Sequence, residues 1–284
     1  MFRNTAKTFV LLAALGGVMV GVGSLFGRGG AIIGLMLGLG VVGFSYWKSD
    51  TLAIRSARAE PASEAQFPQY FAVMRELTTT ANMPMPRLYI TPALQPNAFA
   101  TGRNPNHAAV AITVGLTQVC SWEEIRGVLA HELAHVRNRD ILIGSVAAAV
   151  ATAISFIANI AMWGAMFGGG RDDDENHNPI VLIATAMLAP ISASLIQMAI
   201  SRSREFEADR TGAALAGSGE PLARALEKLD AYAARVPMNI APSQASHFIV
   251  NPLAGRHVSF QNLFRTHPST EQRVARLRGV MAVR

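Results

Sequence analysis

His131-Glu132-Leu133-Ala134-His135 is the segment of this 284-residue chain whose residue types and spacing point most directly to chemistry. On a helix, residues four apart lie on one face. Two imidazoles at that spacing can reach one zinc ion. Glu132 is turned about 100° from His131. It stands beside such a metal rather than pointing at it, which is where a general base must be to take a proton from a water there.

A catalytic zinc needs a third protein ligand and an open position. Arg204-Glu205-Phe206-Glu207-Ala208-Asp209-Arg210 offers carboxylates. On a helix, Glu205 and Asp209 share a face and Glu207 points away from it. Glu205 can then ligate the metal, and Asp209 can orient a histidine ligand by accepting its second ring N–H. Asp140, which closes the run Arg137-Asn138-Arg139-Asp140, reads first as solvated charge at a membrane face and second as an outer support of the metal site. His107, His177, His247 and His257 have no ligand spacing with anything and read as surface or loop residues.

These groups need rigid elements to hold them. Ser121-Trp122-Glu123-Glu124 is a capping box that starts the helix carrying His131 and His135. Upstream, Phe67, Tyr70, Phe71, Met74 and Leu77 recur at helical spacing until Pro84 and Pro86. Arg87–Thr91, Ala98–Thr101 and Ala108–Leu116 read as short strands, with a turn at Gly102–Asn106. Downstream, Leu222, Leu226 and Leu229 mark one helix, and Ser269 and Gln272 cap another that carries Val274 and Leu277. Residues 236–268, with four prolines, read as irregular. The single cysteine, Cys120, excludes a disulfide framework and a Cys-based zinc site. It reads as a small buried hydrophobe.

The composition says where these pieces sit. The chain is 50% hydrophobic and 15% charged, with a mean hydropathy of +0.26. Four stretches carry no Asp, Glu, Lys or Arg: Thr8–Phe26, Ala31–Trp47, Ile141–Gly170 and Pro179–Ser201. All charged residues fall in the other 195, at an ordinary soluble density. A fully soluble enzyme, a disordered chain and a coiled coil are thereby excluded, and the unalternating pattern argues against a β-barrel. Each block approaches the roughly 20 apolar residues of a membrane helix.

Four transmembrane helices follow. Residues 1–47 form an N-terminal hairpin turning at Gly27–Gly30, with Gly16, Gly17, Gly21 and Gly23 in one block and Gly34, Gly38 and Gly40 in the next to let the helices pack closely. Residues 141–201 form a second pair around an acidic loop, 171–178. The soluble parts are 48–140 and 202–284. Arg3, Lys7, Lys48, Arg55, Arg58, Arg137, Arg139, Arg202 and Arg204 flank the spans on one side, which puts both termini and the soluble parts in the cytoplasm. The net charge of +6 thus marks topology, and no basic run of nucleic-acid type is present.

Taken in order, the hairpin, Asn97-Ala98-Phe99-Ala100-Thr101-Gly102, the His131–His135 motif, two spans, Glu205-x-x-x-Asp209 and Thr266-His267-Pro268 resemble the HtpX family of membrane zinc metalloproteases, relatives of the CAAX prenyl proteases. The resemblance covers nearly the whole chain. It implies a mainly α membrane protein with a cytoplasmic gluzincin-type domain and a small β-sheet. It implies one zinc ion per chain held by His131, His135 and Glu205, with Glu132 as the general base. His267 is then a candidate donor to the tetrahedral oxyanion, and Arg273 a second candidate for that region. Asn97, Ala98, Phe99 and Ala100 correspond to an edge strand to which an extended substrate adds.

The implied activity is endoproteolysis of membrane or unfolded polypeptides on the cytoplasmic side of the bacterial inner membrane, as part of stress-response quality control. Two other readings stand beside it. One is a membrane scaffold with a vestigial metal motif, against which the uncharged spans and the intact Glu132 both argue. The other is an enzyme acting on prenylated or lipidated peptides, or on non-peptide substrates, with specificity set in 236–268.

Overall fold

The computed structural model describes residues 27–141, 202–236, 249 and 268–279, with single positions between 13 and 24. In chain order the elements are α1 (Gly27–Ser56), β1 (Glu60–Pro61), α2 (Pro68–Ala81), β2 (Arg87–Thr91), β3 (Ala98–Gly102) and β4 (Ala108–Thr113). Then come α3 (Val114–Val119), α4 (Trp122–Asn138), α5 (Arg202–Ala216), α6 (Glu220–Arg235) and α7 (Thr270–Leu277). The domain is mainly helical around one small mixed sheet.

The sheet runs β1-β2-β4-β3. β2 and β4 are parallel, β1 is antiparallel to β2, and β3 is antiparallel to β4. β3 therefore stands at an edge. Side chains on a strand alternate between faces, and β4 uses both. Val110 and Ile112 join the main core with Tyr70, Met74, Leu77, Leu129, Leu133 and Leu226. Ala109 and Ala111 pack with Phe99 and Ile54 beneath the end of α1. The Tyr70 hydroxyl donates to the Val110 carbonyl at 3.0 Å, so this buried phenol is paired.

Two expectations need correction. Gly27–Gly30 is the first turn of α1 rather than a loop, and α1 continues unbroken through Trp47 to Ser56. The strand expected to reach Leu116 ends at Thr113, because the Thr113 side chain accepts the Leu116 N–H and caps α3. A short helix follows where the strand was expected to continue.

The last turns of α1 are fastened to the sheet. Asp50 pairs with Arg87 of β2, and Arg103, just past β3, lies 4.8 Å over the Trp47 ring. Near the other end, a Cβ on Gly34 would stand 2.4 Å from the Met19 carbonyl oxygen. Only glycine permits that approach, as the small-residue pattern predicts. Ile32, Ile33, Leu35, Met36, Leu37, Leu39, Phe44 and Trp47 of α1 are exposed. Among the described residues no helix is long and apolar enough to cross a membrane. Most of the expected span Thr8–Phe26 and both spans of 142–201 lie outside those residues.

Candidate metal centre

α4 begins at Ser121, whose hydroxyl accepts the Glu124 N–H while Glu124 accepts the Ser121 N–H, the expected capping box. Glu124 also takes the Lys228 ammonium at 2.8 Å, tying α4 to α6. Ile125, Val128, Leu129 and Leu133 turn into the core. His131 and His135 lie on the flank of that core face and point toward α5.

α5 can come close because of Gly212. A Cβ there would stand 2.8 Å from the His131 backbone nitrogen. The approach carries Glu205 and Asp209 to the two histidines. His131 Nε2 is 3.1 Å from His135 Nε2, and the Glu205 carboxylate is 3.7 Å from His131 Nε2 and 3.6 Å from His135 Nε2. A tetrahedral zinc with ligands at about 2.1 Å holds them roughly 3.4 Å apart. His131, His135 and Glu205 could thus hold one metal ion, each with one ligand atom. Glu207 points outward and pairs with Arg210 at 2.7 Å.

The far side of each imidazole is committed. His131 Nδ1 meets Asp209 Oδ1 at 2.9 Å, and His135 Nδ1 meets Asp140 Oδ1 at 3.1 Å. Each carboxylate accepts the Nδ1–H and leaves an Nε2 lone pair for the metal. Asp140 is therefore buried and bonded, not the solvated interface charge expected. α4 ends at Arg139 in the left-handed conformation, φ 56°, with the Asp140 N–H returning to the His135 carbonyl at 3.2 Å. That turn folds the Asp140 side chain back onto the ring one turn earlier.

Charge gives a second test. Glu132, Asp140, Glu205 and Asp209 are buried here, against Arg204 and Arg273. Among the described residues, and with neutral histidines, these six side chains sum to a charge of −2, which a divalent cation balances. The same excess acts on His135: burial opposes its charge, but Asp140, Glu205 and Glu132 outweigh burial and raise its pKa to about 10.

Glu132 is buried beside the pair, and its Oε2 accepts the Ala100 N–H at 2.8 Å. Burial raises its pKa, partly opposed by the histidines. In β3 the register pairs residue 97 with 113 and 99 with 111, and the Thr113 N–H bonds the Asn97 carbonyl at 3.0 Å. By antiparallel alternation the main-chain groups of Ala98, Ala100 and Gly102 face the open edge. Phe99 faces Ile54 instead. Asn97 is buried, and its side-chain oxygen accepts the Ile249 N–H at 3.2 Å.

Arg273 was expected near the oxyanion. Its guanidinium is spent elsewhere, on Asp209 and the Ile249 carbonyl. His267 lies outside the described residues, as do His177, His247 and His257. His107 is exposed and bonds Asn104 at 2.8 Å. Cys120 is buried, which raises its thiol pKa to about 11.

Comparisons with known proteins agree with this geometry. The model of peptidase family M48 matches residues 64–281. The chain is 50% identical over 277 residues to a protease HtpX homolog of Pelotomaculum thermopropionicum, covering 96% of this chain and 98% of that protein. It is 52% identical over 279 residues to the protease HtpX homolog of Syntrophobacter fumaroxidans, at 96% and 98% coverage. For the Burkholderia mallei homolog the identity is 51% over 278 residues, at 96% of both chains. The fold is similar to the crystal structure of S. mikatae Ste24p, with a TM-score of 0.52 and 18% identity over 97% of this chain and 66% of that one. Similarity over nearly the whole length leads to one conclusion: the chain belongs to peptidase family M48, among the HtpX proteases, and is a metalloprotease.

Proposed function

We propose that this metalloprotease is a multi-pass membrane zinc endopeptidase that cuts membrane or unfolded polypeptides on the cytoplasmic face of the bacterial inner membrane, in quality control. The observation that carries the site is the convergence of His131 Nε2, His135 Nε2 and the Glu205 carboxylate, with both Nδ1 atoms already engaged by carboxylates.

Bound there, zinc supplies Lewis acidity toward the scissile carbonyl and acidifies an attacking water. The remaining work falls to the chain. Glu132 Oε2 is held by the Ala100 N–H, which leaves Oε1 to take the proton of the water. Burial raises the basicity of this carboxylate toward the working pH. Glu132 then delivers the proton to the leaving amine nitrogen. Ala98 and the Ala100 carbonyl offer main-chain groups to an extended substrate along the edge of β3, the Ala100 N–H being engaged by Glu132. This favours unfolded segments, because a folded strand or helix has no free backbone to pair. His267 donates to the oxyanion. It stands just before α7, which reaches the metal centre through Arg273.

Membrane insertion is supported by the exposed apolar side chains of α1, since a stripe of that size is unsuited to water. The basic flanks of the four uncharged blocks support cytoplasmic termini. The purified wild type and Glu132→Gln, compared in detergent, test the reading. Both are expected to bind one zinc, and only the wild type is expected to cleave an unfolded casein-like substrate. Equal cleavage by the two overturns the assignment of the base.

A further inference from the structure

Arg273 is among the largest side chains fully buried in the described residues, at 1% exposure. A buried guanidinium needs partners for its five donors. Nε and Nη2 donate to Asp209 Oδ2 and Oδ1 at 2.9 and 2.7 Å, the two-pronged geometry of a planar guanidinium on a carboxylate. Nη1 donates to the Ile249 carbonyl at 2.8 Å. Nη2 stands 3.4 Å from the His131 ring nitrogens, and Nη1 3.8 Å from Glu205.

α7 is fixed so that this residue has little freedom. Ser269 caps it, Arg278 pairs with Glu220 and Glu227 of α6, and Arg276 lies 3.6 Å over the Phe206 ring of α5. The pairs 273 with 209 and 276 with 206 set α7 antiparallel along α5. Both oxygens of Asp209 are thereby held in one plane, with Oδ1 shared between Arg273 and His131 Nδ1.

From this we infer that Arg273 is a positioning residue for the metal centre, acting through Asp209 to hold His131 in the tautomer and orientation that present Nε2 to the metal. A free aspartate can rotate and offer either oxygen to water. The guanidinium removes that freedom and keeps the acceptor on Nδ1–H. Outer partners of this kind typically change metal affinity 10–100-fold. Lysine cannot replace the fork, because one ammonium cannot span both carboxylate oxygens and the Ile249 carbonyl. The inference rests on the reading of His131, His135 and Glu205 as zinc ligands.

The test is a zinc-affinity cycle on the full chain in detergent, read by competition with a chromogenic chelator and independent of proteolysis. R273A is expected to weaken zinc binding about 10–100-fold, and R273K to fall between R273A and wild type. On a D209A background, R273A is expected to cause no further loss beyond about 2-fold, since the residue acts through Asp209. A general packing defect would instead add its full effect on that background. Equal losses on both backgrounds, or wild-type affinity in R273A, overturn the inference and leave the metal site standing. Should R273A fail to fold, R273K in the same cycle gives the same readings. A wild type that binds no zinc, or an H131A variant that binds it as tightly as wild type, overturns the metal site itself.

Discussion

Gly212 of α5 lies against the backbone of His131 in α4 so closely that a Cβ on it would stand 2.8 Å from the His131 nitrogen and 2.9 Å from its Cα. A backbone atom cannot swing aside as a side chain can, so the helices must part. Gly212→Ala is expected to cost about 1–3 kcal/mol by overpacking. It also draws Glu205 and Asp209 away from the histidines. Zinc affinity measured beside thermal unfolding should show both losses, whereas alanine at exposed Arg210 should show neither.

Asp140 gives a second prediction. Asp140→Ala leaves His135 Nδ1 without its acceptor and is expected to weaken zinc binding about 10–100-fold. The turn that places it can be tested separately. Arg139 has φ 56°, so Arg139→Gly should preserve zinc binding, while a β-branched Arg139→Val should cost roughly 1–2 kcal/mol and lower zinc affinity. A zinc titration of the three variants distinguishes them.

Glu205 and Glu207 differ by two positions and by everything else. Glu205→Ala removes a carboxylate within 3.7 Å of both imidazole Nε2 atoms and should abolish stoichiometric zinc. Glu207→Ala removes an exposed ion pair with Arg210, and such pairs contribute about 0–1 kcal/mol. Bound metal per chain is the readout, and zinc loss on changing Glu207 would overturn the orientation of α5.

Asp209 sets an acid limit. Burial alone would raise its pKa, but Arg273 and the His131 bond outweigh burial and lower it to about 2. An unfolded aspartate titrates near about 3.9. The folded value is the lower one, so the contribution is fully present above the unfolded pKa. It is lost as pH falls through the folded value. The difference corresponds to on the order of 2 kcal/mol at neutral pH. Denaturant unfolding of the metal-free protein should show that stability draining between about pH 4 and pH 2. Asp209→Asn should be less stable at pH 7 and flatter across that range.

What the sequence makes legible are those features that depend on spacing along one element. The histidines four apart, the Ser121–Glu124 box and the shared face of Glu205 and Asp209 are all of this kind, and the structure keeps each. The features that escaped depend on a turn or on distant segments. Asp140 reaches His135 only because Arg139 takes a left-handed conformation that no local pattern announces for arginine. Arg273 finds Asp209 across 64 positions, and although Leu277 four residues on puts it on the apolar side of its helix, nothing local names its partner. The Ala100–Glu132 bond spans two elements 32 positions apart. The end of β4 was missed because Thr113 serves both as a strand residue and as a helix cap.

The close seat of α5 on α4 has a further consequence. Among the described residues, the groups that bring these helices together — Gly212 at the crossing, and Glu205 and Asp209 at the histidines — lie outside 142–201. The residues that flank that stretch lie near one another, since the Arg204 charge acts on Asp140 and Glu205. For a segment that joins two such helices, ring closure costs about 0.6 kcal/mol for each doubling of its length. The peptidase is built like a split protein whose halves recognise each other.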